Sequence, residues 1–113
     1  MITQENKKSD QTYEFEKKDL SYFMKTLNDN YPYLSTEYNI KYIGIFGSYV
    51  KGEETKDSDL DILVEFSKTP GLFKLIKCEN YLTSLLGVKV DLVLKNTVKP
   101  YIGKRILEEV VSV

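Results

Sequence analysis

A chain of 113 residues that is 42% hydrophobic and 12% aromatic can bury one compact core, which excludes general disorder. With 16 basic against 17 acidic residues the formal net charge is -1, so no strong positive field exists to hold a long nucleic acid, which argues against a polymerase or a DNA-binding module. There is no histidine and one cysteine, Cys78, which rules out an intramolecular disulfide, a His-based nucleophile and the common zinc sites; the chemistry is left to carboxylates, lysines, hydroxyls or a hard metal ion.

In chain order, residues 1–14 read as a polar N-terminal tail, and residues 15–113 as a single domain. The N-terminus lacks the apolar core of a signal peptide and no apolar run approaches a membrane span, so a cytoplasmic protein without a membrane partner is expected. Phe15, Leu20, Phe23, Met24 and Leu27 fall near helical spacing, Asn28-Asp29-Asn30 reads as a break, and Pro32 opens a second short helix toward Tyr38. Ile40 to Phe46 reads as a strand that stops at Gly47-Ser48, followed by a short helical turn and a polar loop to Ser58. Leu60 to Phe66 is apolar at nearly every position up to Val64, as in a central strand covered on both faces. After the Thr69-Pro70-Gly71 loop, a helix to Leu86 is expected to turn Leu72, Leu75, Ile76, Tyr81, Leu82 and Leu85 inward, with Gly87 as its C-terminal cap. Val88 to Leu94 forms a third strand, Pro100 starts a helix carrying Ile102, Ile106 and Leu107, and Val110 to Val113 closes as an edge strand. The fold class is α/β (α+β), a mixed three- to four-stranded sheet with helices packed against it.

Asp59 and Asp61 stand two residues apart at the start of a strand, so their carboxylates project from one face while Leu60 anchors the strand in the core. Two such carboxylates repel unless a cation lies between them, and magnesium accepts one or two carboxylates together with waters and phosphates. Asp91 interrupts the apolar run of the third strand, where an ionised group facing a core is costly unless paired or metal-bound. With the two strands adjacent, three carboxylates surround one cavity, enough for a two-metal site. Gly47 lets the backbone approach closely or take a positive φ, and Ser48 offers a hydroxyl and a cap for the turn, which together suit a phosphate.

Gly47-Ser48, ten intervening residues and Asp59-Leu60-Asp61 resemble the Gly-Ser…Asp-x-Asp signature of the DNA polymerase β-like nucleotidyltransferases. The string from Gly47 to Glu53, that from Asp57 to Phe66, Val90-Asp91-Leu92-Val93, Lys99 to Ile102 and the closing Glu108 to Val113 resemble the minimal nucleotidyltransferase (MNT, MntA-like) branch over roughly residues 15 to 113. The resemblance implies a nucleotidyltransferase fold in which Asp59, Asp61 and Asp91 are catalytic and hold two Mg2+ ions, Gly47 and Ser48 hold the β- and γ-phosphates of ATP, and Asp91 helps activate the acceptor hydroxyl. It further implies transfer of AMP to a tyrosine of a HEPN-domain RNase toxin, making the chain its antitoxin. Two other readings stay open: a non-enzymatic module that occludes its partner, and nucleotidyl transfer to a small-molecule hydroxyl. A chain this short is expected to rely on a second protomer or a partner to hold its acceptor.

Several residues have plainer readings. Asp57 is a turn residue, and the Asp57-x-Asp59-x-Asp61 spacing fails as an EF-hand loop because Ile62 and Lys68 stand where glycine and glutamate are needed. Cys78 is a small buried hydrophobe, and most of the nine tyrosines are packing residues; Tyr49, beside the turn, is the one to test as a nucleotide or partner contact. Lys51 keeps a charge where many relatives have arginine, without the bidentate fork, and Lys95, Lys99, Lys104 and Arg105 read as a solvated basic face.

Overall fold

The structure, a computed structural model, describes residues 18–113. The expected tail over residues 1–14 and Phe15 lie outside the described residues. Helix α1, Leu20–Tyr38, starts where the Asp19 carboxylate accepts a hydrogen bond from the Tyr22 N–H at 3.0 Å, and ends at Asn39 in the left-handed conformation. The break expected at Asn28-Asp29-Asn30 does not occur. Asn30 turns its side-chain amide back to donate to the Thr26 carbonyl at 2.8 Å, so it fits the helix rather than competing with it. Phe23, Leu27, Leu34 and Tyr38 form one buried stripe across the whole length, and that burial outweighs the local break signal. Pro32 therefore lies inside the helix; it is exposed, and the Asn28 carbonyl that loses its N–H partner also belongs to an exposed residue.

The chain continues through β1 (Ile40–Phe46), a one-turn helix α2 (Ser48–Lys51), β2 (Leu60–Phe66), α3 (Leu72–Leu86), β3 (Val90–Leu94), a 3₁₀ turn (Lys95–Thr97), α4 (Pro100–Glu109) and β4 (Val111–Ser112). The four strands form a mixed sheet in the order β3-β2-β1-β4. β1 pairs antiparallel with β2 and β4, and the α3 crossover makes β2 and β3 parallel. The expected strand over residues 88–94 begins two residues later, at Val90, and Gly87 caps α3 with φ 76° as anticipated.

α1 and α3 cover one face of the sheet. The core joins Phe23, Leu27, Leu34 and Tyr38 of α1 and Cys78, Leu82 and Leu86 of α3 to Ile43 and Ile45 of β1, Leu60, Ile62 and Val64 of β2, and Val90 of β3. Leu63 points the other way and is still only 1% exposed, so the middle of β2 is covered on both faces as its sequence predicted. The inward set of α3 needs correcting. Its buried stripe runs through Cys78, Leu82 and Leu86, with Leu75, Tyr81 and Leu85 half-buried. Ile76 lies roughly 100° round the helix from Leu75, and Leu72 begins the helix at an end where Gly71 to Lys74 are all exposed; Leu72 is 68% and Ile76 45% exposed. Two α3 side chains also serve the outer edge of the sheet: Thr83 Oγ1 accepts from the Val90 N–H at 3.1 Å and Glu79 Oε2 from the Leu92 N–H at 3.0 Å. They satisfy backbone donors that an edge strand otherwise presents for pairing.

Candidate active site

Alternation along β2 sends Leu60, Ile62 and Val64 into the helix-covered core and leaves Asp59 and Asp61 on the opposite side. In the parallel pairing Asp61 is the direct partner of Asp91, and in the antiparallel pairing it faces Phe46, the last residue of β1. Asp61 thus stands between Asp91 on one side and the start of the Gly47 turn on the other. Gly47 takes φ 86° and ψ -151°, a conformation that strongly favours glycine. The place its Cβ would occupy is taken by Asp61 Oδ2. The glycine is needed twice over, for the turn and for the room it leaves that carboxylate. Ser48 follows as the first residue of α2; the capping position is Gly47 itself, with no side-chain cap, so the hydroxyl of Ser48 does not close the turn as the sequence suggested. The turn is held by the Val50 and Lys51 N–H groups donating to the Gly47 carbonyl at 3.0 and 3.2 Å.

The electrostatics centre on Asp61. Burial pushes its carboxyl above the ordinary value of 3.8, and the nearby carboxylates of Asp91, Asp59 and Glu109 push it further the same way. Asp59 is half-buried and has a counter-charge in Lys89, 3.5 Å away. Asp91 is exposed, so the penalty of a carboxylate facing a core does not apply to it; β3 has one solvent-accessible side at this position. Among the described residues no three His, Cys, Asp or Glu side chains are gathered as they stand at distances that would hold an ion. The donor set nonetheless fits a hard divalent cation: it is all oxygen, it is fixed by strand register, and its members repel one another in a way that added positive charge would relieve.

Sequence reasoning missed one member of the site. Glu109, the last residue of α4, accepts a hydrogen bond at Oε1 from the Gly47 N–H at 2.9 Å, and its Oε2 lies 3.8 Å from Lys51 Nζ. It is 62 residues from Gly47, and no local pattern announces it; only the likeness of the chain's last residues to the family's tail pointed near it. Beside it lies a cavity of about 240 Å³ lined by Phe46, Gly47, Lys51, Arg105, Ile106 and Glu109, among others. Tyr49 does not face this region freely. Its ring packs edge-on against buried Phe23, with centroids 5.2 Å apart, and burial first, then the negative charge of Glu54, raise its hydroxyl pKa. Lys95 is not part of a solvated helix face either: it lies in the 3₁₀ turn, 3.6 Å from Glu65 and over the ring of Tyr42. Cys78 is fully buried, as read, and Asp57 is an exposed turn residue.

Comparison with known proteins agrees with this geometry. The profile of the Nucleotidyltransferase domain family matches residues 20–113. Protein adenylyltransferase MntA of Thermococcus cleftensis is 51% identical over 80 residues, which span 71% of this chain and 81% of that protein. Among solved structures, one assigned provisionally as a minimal nucleotidyltransferase is 29% identical with a TM-score of 0.70, covering 84% of this chain and 96% of the other. A chain from a toxin–antitoxin crystal structure with AMP-PNP is 27% identical with a TM-score of 0.60, covering 79% of this chain and 67% of that one. No helix of the described residues is long and apolar enough to cross a membrane. With a Gly-Ser turn set against two in-register aspartates and this likeness along nearly the whole described length, the chain belongs to the nucleotidyltransferase family, in its minimal, MntA-like branch.

Proposed function

We propose that this enzyme transfers AMP from ATP to a tyrosine hydroxyl of a HEPN-type RNase toxin and acts as the antitoxin of that pair. The observation that carries the reading is the register of Asp61 with Asp91, with Asp59 two residues upstream and Gly47 closing over Asp61. In this reading Asp59, Asp61 and Asp91 are the catalytic residues and the metal ligands. Divalent cations held by these three carboxylates, taken to be two Mg2+ ions, would supply positive charge to offset the triphosphate and make the α-phosphorus more electrophilic. The Gly47 turn, with the Ser48 hydroxyl, binds and orients the β- and γ-phosphates. Asp91, exposed on the open side of the site, takes the proton as the tyrosine oxygen bonds to the α-phosphorus. The bond from the α-phosphorus to the bridging oxygen breaks, and pyrophosphate leaves. No covalent intermediate on the protein is required.

A macromolecular acceptor suits the site because Asp91 stands in the open rather than in an enclosed pocket. The 51% identity to a protein adenylyltransferase and the likeness to a chain of a toxin–antitoxin pair support a protein acceptor. A phosphodiester on a toxin tyrosine adds an anion and bulk that would obstruct an RNA-binding cleft. The test is transfer of label from α-labelled ATP, with Mg2+, to a co-purified toxin, comparing wild type with Asp59→Asn and Asp91→Asn. The expected result is labelled toxin with wild type only, and loss of neutralisation in both variants. An unlabelled toxin that Asp59→Asn still neutralises would replace this reading with silencing by occlusion. Label on an antibiotic-type hydroxyl without any toxin would replace it with small-molecule transfer.

A further inference from the structure

The N–H of Gly47 belongs to the turn read above as the phosphate site, yet in this structure it already has an anionic partner. Glu109 Oε1 accepts that N–H at 2.9 Å, and Oε2 lies 3.8 Å from Lys51 Nζ, so one carboxylate engages both a backbone donor and the nearest cation. Glu109 comes from α4, and with Lys51 and Arg105 it lines the cavity beside the turn, over an apolar floor of Phe46 and Ile106. A triphosphate seeking the same N–H and the same lysine must first remove this side chain, since two anions cannot share one donor. The negative charge of Glu109 also reaches Asp61, adding to the field that any incoming polyanion meets.

We propose that Glu109 is a built-in competitor for the nucleotide: its carboxylate occupies the place of a phosphate at Gly47 and Lys51, and ATP binds by displacing it. The inference rests on the reading of the Gly47 turn as the phosphate site. Its consequence is that the end of α4, and β4 beyond it, is linked to nucleotide occupancy, because Glu109 directly precedes the Val110-Val111 segment that joins the sheet beside β1. Displacement takes the half-buried Glu109 side chain off both of its partners.

The experiment is calorimetric titration of the full chain with AMP-PNP in Mg2+, comparing wild type, Glu109→Asp and Glu109→Ala, with thermal melts confirming that each is folded. Aspartate keeps the charge and is one methylene too short to hold the same contact; alanine removes both. Both variants are expected to bind about ten-fold tighter, the equivalent of one charge-assisted hydrogen bond that no longer has to be broken. The Gly47 amide resonance should shift on adding AMP-PNP to wild type, and should already be shifted in nucleotide-free Glu109→Ala. Wild-type affinity in Glu109→Asp, or weaker binding in folded Glu109→Ala, would overturn the competitor role while leaving the phosphate site standing. Absence of binding by every folded form would remove the phosphate-site reading, and this inference with it.

Discussion

Replacing Asp61 with asparagine should make the metal-free protein more stable, although it removes a residue assigned to catalysis. Asp61 has its pKa raised by burial first, then by Asp91, Asp59 and Glu109. A carboxyl whose folded pKa lies above its unfolded value binds its proton more tightly when folded. Stability is therefore full below about pH 3.8 and declines as pH rises through the window up to the raised folded pKa. Its size follows from the strand register. Two unit charges about 5 Å apart, the spacing of paired strands, repel by about 1 kcal/mol in water and about 3 kcal/mol at an effective permittivity of 20. Asp91 is exposed, so the lower figure applies. Relief of about 1 kcal/mol raises the Tm of a domain near this size by about 4 °C or more. The assay is a thermal melt of wild type and Asp61→Asn at pH 7, in EDTA and again in millimolar Mg2+. The variant should melt higher in EDTA, and Mg2+ should raise wild type far more than the variant. Asp59→Asn is the control: its charge is already offset by Lys89, so its Tm should hardly move. An Asp61→Asn protein that melts at or below wild type in EDTA would refute the claim that the acids of this face repel one another.

The other predictions concern parts of the fold that hold the site. Gly47→Ala forces a side chain into φ 86° and against Asp61, so it should cost about 1–3 kcal/mol in urea denaturation and abolish label transfer together. Glu79→Ala leaves the Leu92 N–H without its acceptor; a loss of about 1–2 kcal/mol is expected by urea denaturation, with nucleotide affinity unchanged. Cys78 is buried with its thiol pushed up to about 11, so it should resist a thiol reagent at pH 8 until urea is added. By the same linkage, this thiol removes stability as pH climbs from its ordinary value of 9.0 toward 11, and Cys78→Ala should flatten that part of the alkaline melt profile.

The elements that sequence described well are those whose signal is local. The β1 and β2 spans, the stop at Gly47, the cap at Gly87 and the helix start at Pro100 follow from β-branched runs and from residues with special backbone geometry. Asn28-Asp29-Asn30 and Pro32 are local breakers that divide α1 on sequence alone, whereas its length is decided by a stripe from Phe23 to Tyr38 that is buried only once the sheet and α3 are assembled. Leu72 and Ile76 show the converse, apolar residues at plausible spacing that the fold leaves exposed. The same division runs through the site. Asp59 and Asp61 could be placed on one face from strand periodicity alone, and the pairing of Asp91 with Asp61 needed only the assumption that β2 and β3 are neighbours. Glu109 was invisible because its contact with Gly47 depends on where α4 lands, which neither residue's neighbours encode.

That asymmetry bears on why β2 can carry chemistry at all. Its core-facing residues, Leu60, Ile62 and Val64, are completely buried, so the strand's position is fixed by packing and does not depend on the opposite side. Asp59 and Asp61 are thereby held near Asp91 in spite of their repulsion, as a flexible loop would not hold them. In the proposed reading, the stability forgone on the acidic side is what a divalent cation or its triphosphate complex would return on binding. Glu109 extends the argument to the anion side. A turn with unsatisfied donors next to three aspartates would be poorly defined, and a carboxylate from α4 keeps it ordered at the expense of nucleotide affinity. Substitutions that relieve the acids should therefore stabilise the metal-free fold, and those that free the turn should tighten nucleotide binding. The two sets meet at Gly47: Asp61 fills the space beside it, Glu109 holds its N–H, and the Glu109 charge also reaches Asp61, so Asp61→Asn combined with Glu109→Ala should depart from additivity.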